Sequence, residues 1–202
     1  MAFRREVGLS LALVATVLAT FSACLASGNE SHPAEAITLG TYPAAALVVA
    51  SHLLSDDSGR RETGRRILDS ALMVGLLNEA VQRSIRSPRP APYQAEEHAF
   101  PSGHASLAFA VAAALSERES GATVWAYSAA AAVGWSREQL GRHTWAQVLG
   151  GALLGTFVGL RAGKGEWHLI GHSDAQVLGL QDDQEAPVTP ARLSVSLWST
   201  SF

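Results

Sequence analysis

Residues 101–116, PSGHASLAFAVAAALS, decide the fold class of this chain. A proline, a serine and a glycine come directly before an uncharged run of alanine, leucine, valine and phenylalanine. Serine is a preferred residue at the start of a helix, and alanine is the strongest helix former. We therefore expect a helix from His104 to Ser116.

Apolar runs of similar composition lie on both sides of this segment, and each run ends at a helix-breaking sequence. Residues 56–59, DDSG, have turn chemistry, and residues 87–92, SPRPAP, cannot continue a helix because proline lacks the required donor. The sequence predicts an all-α bundle of five helices, at about Ala36 to Ser55, Ile67 to Ile85, His104 to Ser116, Thr123 to Gln139 and Thr144 to Leu160.

The lengths of these runs favour a bundle that faces water. A membrane-spanning helix needs about 20 predominantly apolar residues. Most of the runs are shorter, or they contain Pro43, Asp69 or Glu79. The first and the last run come closest to the length and composition of a span.

Three glycines in the last run recur at intervals of four residues, at Gly151, Gly155 and Gly159. Residues four apart lie on one face of a helix, so these glycines allow another backbone to approach closely. Close helix packing uses such a stripe in water as well as in membranes, so the stripe does not favour either environment.

Composition limits the classes of function. The chain has 202 residues, 48% of them hydrophobic, which is enough for one compact domain. Charged residues make up 16% and the formal net charge is −3, so no nucleic-acid partner is expected. His168 and His172 are four residues apart, but no further clustered ligand accompanies them, and we interpret them as solvated residues rather than a metal site.

The first residues resemble a secretory signal, with Arg4 and Arg5 before an uncharged stretch that runs from Val7 to Cys24. We therefore expect export, to the bacterial periplasm or cell envelope. The sequence FSAC, which ends at Cys24, resembles a lipobox, and cleavage there would anchor the protein through acyl chains. Cleavage after Ala26 would instead discard the single cysteine, and the sequence leaves both alternatives open. The predicted organisation is a signal segment at 1–24, a linker at 25–33, a helical domain at 34–162, and a polar or β-like tail at 163–202.

Two arginines occur in short motifs suited to binding a phosphate group. Arg89 precedes a proline in the proline-rich segment, and Arg137 follows a serine and stands six residues before His143. Phosphoryl transfer requires mainly that equatorial oxygens be positioned and neutralised, which arginine does in a bidentate manner. Arg89 and Arg137 are therefore the candidate phosphate clamps.

The remaining candidates supply backbone donors and acid–base groups. Ser102 and Gly103 enter the helix that begins near residue 104, and the N-terminus of a helix is a ready anion site. His104 and His143 can divide the other tasks, nucleophilic attack and protonation of the leaving oxygen, because imidazole titrates near neutral pH.

Taken together, RP at 89–90, PSGH at 101–104, and SR at 136–137 followed by His143 resemble the signature of the type 2 phosphatidic acid phosphatase superfamily. That superfamily includes bacterial class A acid phosphatases, lipid phosphatases and vanadium-dependent haloperoxidases. The similarity extends from about Gln82 to Gly159. It implies a helical bundle of the acid phosphatase and haloperoxidase type. It also implies a metal-independent, cofactor-free phosphatase that acts on a phosphomonoester or lipid phosphate, with His143 as nucleophile and His104 as general acid.

Two positions depart from the family pattern. Gln82 stands where the family has a lysine, seven residues before Arg89, and substitution of its charge by the neighbouring Arg83 or Arg86 is a hypothesis. Gln147 stands where the family has an aspartate, four residues after the nucleophile. Its amide oxygen can still accept the imidazole N–H, but it has no charge to stabilise an imidazolium. The analogous Asp→Asn change in a serine-protease triad costs about 10⁴ in turnover, so reduced activity is expected.

These departures leave two alternatives to an active phosphatase. The first is a catalytically impaired family member that binds phosphate or lipid phosphate, or has a structural role in the envelope. The second is a vanadium-dependent haloperoxidase, the one case in which a cofactor, vanadate, is expected. The expected partner is a phosphate-bearing small molecule or lipid, with membrane association through a lipidated Cys24 or the apolar helices. His98, just before the second motif, is either a pocket residue or a loop histidine.

Overall fold

The computed structural model describes residues 33–95 and 97–169. Within these residues the chain forms helices and no strand, which confirms the predicted all-α class. The expected signal segment with Cys24, nearly all of the linker, and the tail from residue 170 onward with His172 lie outside the described residues. The helices are α1 (Pro33–Leu53), α2 (Ser58–Ser84), α3 (Gly103–Arg118), α4 (Thr123–Gln139) and α5 (Trp145–Gly163), with a 3₁₀ turn at Ser120–Ala122 between α3 and α4.

Helix α2 begins at Ser58, well before the predicted start at Ile67. The side chain of Asp57 caps the helix by accepting a hydrogen bond of 2.7 Å from the backbone N–H of Arg60. This cap starts the helix in a polar stretch, residues 58–66, that an apolar pattern cannot detect. The predicted start was therefore wrong because it followed hydrophobicity alone.

Helix α3 lies at the centre of the bundle and packs against each of the other helices. Its closest partner is α5, through the three glycines expected from the sequence and a fourth, Gly163, that the prediction did not include. We call these residues the glycine seam: Gly151, Gly155, Gly159 and Gly163. A Cβ at Gly151 would lie 2.6 Å from the carbonyl oxygen of Ser102. At Gly155 and Gly159 it would clash with carbonyl oxygens of α3 as well. The seam therefore lets the backbones of α3 and α5 touch.

The core on the other sides of α3 is made of small and branched residues. Ile67 of α2 packs against Val111 and Ala114 of α3. Val74 of α2 packs against Ala110 of α3 and Val158 of α5. These contacts hold α2, α3 and α5 against one another. They thereby position the end of α2 and the starts of α3 and α5, beside which the motif residues lie.

Apolar side chains also remain on the outside of the bundle. Among the described residues, α1, with 21 residues, is the one helix with the length and apolar composition to cross a membrane. An exposed stripe runs along α5, opposite the glycine seam. The exposed apolar residues include Leu39 and Tyr42 on α1, Leu72 and Leu76 on α2, and Trp145, Leu149, Leu153 and Phe157 on α5.

Candidate active site

The three motif segments meet at the end of the bundle where α3 and α5 begin. Arg89 lies in the loop between α2 and α3, and Ser102 is the residue that precedes α3. Arg137 lies in the last turn of α4, and His143 lies in the short connection from α4 to α5. The backbone N–H of Ser102 donates to the carbonyl oxygen of Gln147 in the first turn of α5, at 3.0 Å. This bond ties the second motif to the third.

His143 is held in one tautomer by its neighbours. Its Nδ1 lies 3.1 Å from the carbonyl oxygen of Ala99 and 3.3 Å from Oε1 of Gln147. Both of these atoms only accept hydrogen bonds, so Nδ1 must carry the hydrogen. Its Nε2 lies 3.2 Å from Nη1 of Arg89, which only donates. The neutral imidazole therefore has its lone pair on Nε2, facing the arginine.

The two arginines approach the site from different elements. Arg89 donates through Nη1 to the carbonyl oxygen of Arg142 at 2.9 Å, which places its guanidinium beside His143. Arg137 is buried, and its Nη1 lies 3.5 Å from Oγ1 of Thr38 on α1. Both side chains are thus fixed from the protein side, as anion clamps need to be.

The electrostatics show that both arginines act on both histidines. Burial, followed by the charges of Arg89 and Arg137, lowers the pKa of His143 to about 3, against weaker raising effects of Gln147 and Ala99. Burial and the charges of the same two arginines lower the pKa of His104 to about 4. Two imidazoles and two guanidinium groups therefore share one electropositive region, where a phosphate group would be attracted.

Ser102 adds a hydroxyl to this region. It is fully buried and occupies the N-cap position of α3, but its side chain makes no capping hydrogen bond. Within the described part of the chain, its Oγ is buried with no hydrogen-bond partner. Leaving a buried hydroxyl unsatisfied costs about 1–3 kcal/mol. An oxyanion at the start of α3 would satisfy it, together with the N-terminal backbone donors that Gly103 helps to expose.

The family lysine position is occupied by an amide that binds backbone. Gln82 donates through Nε2 to the carbonyl oxygen of Pro101 at 2.8 Å, beside the second motif. The neighbouring arginines do not replace the missing charge. Arg83 is highly exposed and paired with Glu79 at 2.8 Å, and Arg86 is highly exposed and lies 4.0 Å from Glu97. Their proposed substitution for the lysine is wrong, because Arg83, near the end of α2, and Arg86, just after the helix, both project to solvent.

The second departure, Gln147, faces His143 as expected. It is buried and stands at the third position of α5, where it forms a capping box with Thr144. Its Oε1 accepts from the backbone N–H of Thr144 at 3.1 Å as well as from His143. The orientation of His143 is thus retained without a carboxylate.

Several residues at the site carry no recognisable signal in the sequence. Tyr42 of α1 packs edge-on against the His104 ring, with centroids 4.8 Å apart. Asn78 of α2 is buried beneath Gly103 and accepts a hydrogen bond of 2.8 Å from Ser106. The apolar pattern placed these residues on helices but did not indicate which way they point. The carbonyl of Ala99 is a backbone group, which no sequence pattern can single out.

Other candidates lie away from this region. His98 is exposed, and its Nδ1 lies 2.7 Å from the carbonyl oxygen of Gln82, so it is a loop histidine that joins its loop to α2. Among the described residues no group of three or more histidine, cysteine, aspartate or glutamate side chains could hold a metal ion. His168 is exposed.

A family model described as the PAP2 superfamily matches residues 77–167. The matched segment belongs to this superfamily, that of type 2 phosphatidic acid phosphatases and haloperoxidases. The match to PAP2 begins near the end of α2 and includes all three motifs, whereas α1, with Thr38 and Tyr42, precedes it. PAP2 membership supports phosphatase-type chemistry on a phosphate-bearing substrate at the level of the superfamily. No curated protein and no solved structure matched the chain.

Proposed function

We propose that this PAP2 protein is an exported phosphohydrolase that forms a phosphohistidine at His143. The observation that carries the proposal is the lone pair on His143 Nε2, held beside Arg89 in a region that also contains Arg137, His104 and the buried hydroxyl of Ser102. A nucleophile, an acid and several oxyanion donors, here Arg89, Arg137 and Ser102, are the parts that metal-free phosphoryl transfer requires. Export rests on the basic and apolar character of residues 4–24.

In the proposed reaction the phosphate oxygens bind Arg89, Arg137 and the N-terminus of α3. His143 Nε2 attacks phosphorus, and the bond from phosphorus to the leaving oxygen breaks while His104 donates its proton to that oxygen. Water then attacks the phosphohistidine, His104 removes a proton from the water, and inorganic phosphate leaves. The same imidazole serves as acid in the first step and as base in the second.

The low pKa values fit this division of roles. His143 is neutral above about pH 3, so its lone pair is available over most of the pH range. His104, with a pKa of about 4 in the free protein, needs a counter-charge to stay protonated at higher pH. A bound phosphate supplies negative charge that offsets Arg89 and Arg137, and this raises the pKa of His104 where the acid is needed.

The surroundings of the site favour a substrate with an apolar portion. Tyr42, which contacts His104, is 52% exposed, and Leu39 one turn earlier on α1 is 75% exposed. Trp145, two residues after His143, is 49% exposed. Exposed aromatic and aliphatic side chains beside a charged site suit an acyl chain next to a phosphate headgroup. We propose a lipid phosphate, met at a membrane surface, as the preferred substrate class.

Turnover assays on the purified protein test this function. Phosphatidic acid in mixed micelles and p-nitrophenyl phosphate are each incubated with wild type, His143→Ala and the control His168→Ala, which removes an exposed histidine. We expect phosphate release that His143→Ala abolishes and His168→Ala retains. Leu39→Ser should lower kcat/KM for the lipid several-fold more than for p-nitrophenyl phosphate. Equal turnover by wild type and His143→Ala would refute the hydrolase, and an equal effect of Leu39→Ser on both substrates would refute the lipid preference.

The same preparation separates the alternatives. An impaired binding protein would bind inorganic phosphate in calorimetry without releasing any from either substrate, as the loss of charge at Gln82 and Gln147 would allow. A haloperoxidase would oxidise bromide with peroxide only after vanadate is added, because the oxyanion donors suit vanadate as they suit phosphate. Either result in place of phosphate release would replace the proposed function.

A further inference from the structure

Gln147 has two ends that contact different motifs. Its Oε1 receives hydrogen bonds from Thr144 and His143, as described above. Its Nε2 donates to Oγ of Ser87 and to the carbonyl oxygen of Pro88, each at 2.9 Å. Ser87 and Pro88 come directly before Arg89, so the amide lies between the nucleophile and the loop that carries a phosphate clamp.

The chemistry of the partners fixes the direction of this amide. The backbone N–H of Thr144 only donates, so the atom facing it must be the amide oxygen. The carbonyl of Pro88 only accepts, so the atom facing it must be the amide nitrogen. A carboxylate could replace the amide at the Thr144 and His143 end, but it has no hydrogen to donate to Pro88.

The contacts of Gln147 belong to a closed ring of hydrogen bonds. His143 Nδ1 donates to the carbonyl oxygen of Ala99, and the backbone N–H of Ala99 donates to the carbonyl oxygen of Ser87 at 2.9 Å. Ser87 Oγ accepts from Gln147, whose Oε1 accepts from His143. Ala99, His143 and Gln147 are buried, so breaking one link leaves polar groups unsatisfied away from water.

We propose that Gln147 is a positioning residue that holds the Arg89 loop against His143, and that its amide nitrogen is required for this role. Glutamine at this position is then matched to the loop, and is not simply a family aspartate that has lost its charge. The kinetic part of the proposal rests on the proposed hydrolysis, whereas its structural part does not.

The two interpretations predict opposite effects of restoring a carboxylate. If Gln147 only orients His143, Gln147→Glu or Gln147→Asp should raise turnover, because a negative charge would stabilise the imidazolium. If the amide nitrogen holds the loop, Gln147→Glu keeps the acceptor but loses the donor, and a carboxylate oxygen faces the Pro88 carbonyl. We expect Gln147→Glu to weaken inorganic phosphate binding at least about tenfold, with kcat/KM falling by a similar factor. Gln139→Glu, which makes the same change of charge at an exposed residue, should be neutral in both measurements.

Ser87→Ala provides a second variant that does not alter Gln147 or any contact of His143. It removes one of the two acceptors of the amide nitrogen. We expect phosphate affinity to fall about two- to tenfold, mostly as a rise in KM rather than a loss of kcat, with the unfolding temperature nearly unchanged.

The experiment combines calorimetry with inorganic phosphate and crystal structures of wild type, Gln147→Glu and Ser87→Ala. The expected result is weaker binding in both variants, with the Arg89 to His143 distance lengthened from 3.2 Å to beyond hydrogen-bond range in Gln147→Glu. Wild-type phosphate affinity in Ser87→Ala, or an unmoved Arg89 in Gln147→Glu, would overturn the proposal. The distance is measured whether or not the wild type turns over substrate, so failure of the hydrolase and failure of this inference are distinguishable.

Discussion

Helix α5 takes part in two regions that are held together in different ways. In its first turn, Gln147 connects His143 to the Arg89 loop through directional side-chain hydrogen bonds. From Gly151 onward, the glycine seam brings its backbone against α3 with almost no side chain between them. One helix therefore positions the candidate catalytic residues with its first turn and stabilises the bundle with the turns that follow. Substitutions in the first segment should change chemistry, and those in the second should change the free energy of unfolding.

The largest expected effect belongs to the acid–base group at the site. Removing a general acid typically costs about 10²–10⁴ in rate, so His104→Ala should lower kcat by about 10³ with a small change in stability. In the wild type, kcat/KM should be highest in acid, between the pKa values of about 3 for His143 and about 4 for His104. Above that range it should fall about tenfold per pH unit, because the acid deprotonates.

Steady-state pH profiles check this assignment. The alkaline limb of kcat should lie at higher pH than that of kcat/KM, since bound phosphate raises the pKa of His104. His104→Ala should remove the alkaline limb. An unchanged limb in this variant would mean that another group supplies the proton.

Substitutions in the glycine seam should lower the stability of the fold and leave turnover nearly unchanged. Gly155→Ala places a Cβ against the backbone of Ser106, and we expect the free energy of unfolding to fall by about 2–3 kcal/mol. Gly75→Ala is the matched control, because a Cβ at that position in the interior of α2 meets nothing within 4 Å. Alanine should there add about 1 kcal/mol through helix propensity.

Urea unfolding of both variants measures these changes, and kcat of the folded protein should stay within a few-fold of wild type. A destabilised Gly75→Ala with an unaffected Gly155→Ala would show that the seam is not where α3 and α5 are held.

The smallest effect concerns the position of the missing lysine. Gln82→Lys would add a positive charge beside the second motif, where the amide now reaches the carbonyl of Pro101. We expect phosphate to bind about tenfold more tightly, as for a charge-assisted hydrogen bond. Arg83→Gln should leave the affinity within about twofold, because that arginine is exposed and paired with Glu79. Calorimetry with inorganic phosphate measures both affinities. If Gln82→Lys does not bind phosphate more tightly than wild type, residue 82 lies outside the phosphate site.

The two regions also differ in how far the sequence could predict them. The spacing of Gly151, Gly155 and Gly159 indicated a close-packed face, because residues four apart lie on the same face of any α-helix. The motifs indicated which side chains meet, through resemblance to a family whose members share them. The polar first turns of α2 were missed, because their stability comes from the Asp57 cap rather than from an apolar pattern.

The ring around Gln147 could not be predicted for a different reason. Two of its links use backbone groups of Ser87 and Ala99, which every residue possesses. Tyr42 belongs to α1, outside the segment that resembles the family, and reaches His104 only because α1 packs beside α3. Such contacts depend on the packing of distant elements, which a local pattern does not determine.

Trapping the covalent intermediate shows whether His143 is the nucleophile. Wild-type protein is mixed with a substrate whose phosphoryl group is labelled, and the reaction is quenched in base within one turnover. Mass spectrometry and ³¹P NMR then identify the residue and the atom that carry the label. Because Nδ1 of His143 carries the hydrogen and Nε2 the lone pair, we expect phosphate on Nε2 of His143 and none in His143→Ala. Rapid substrate hydrolysis with no label on His143, or with label on another residue, would contradict it.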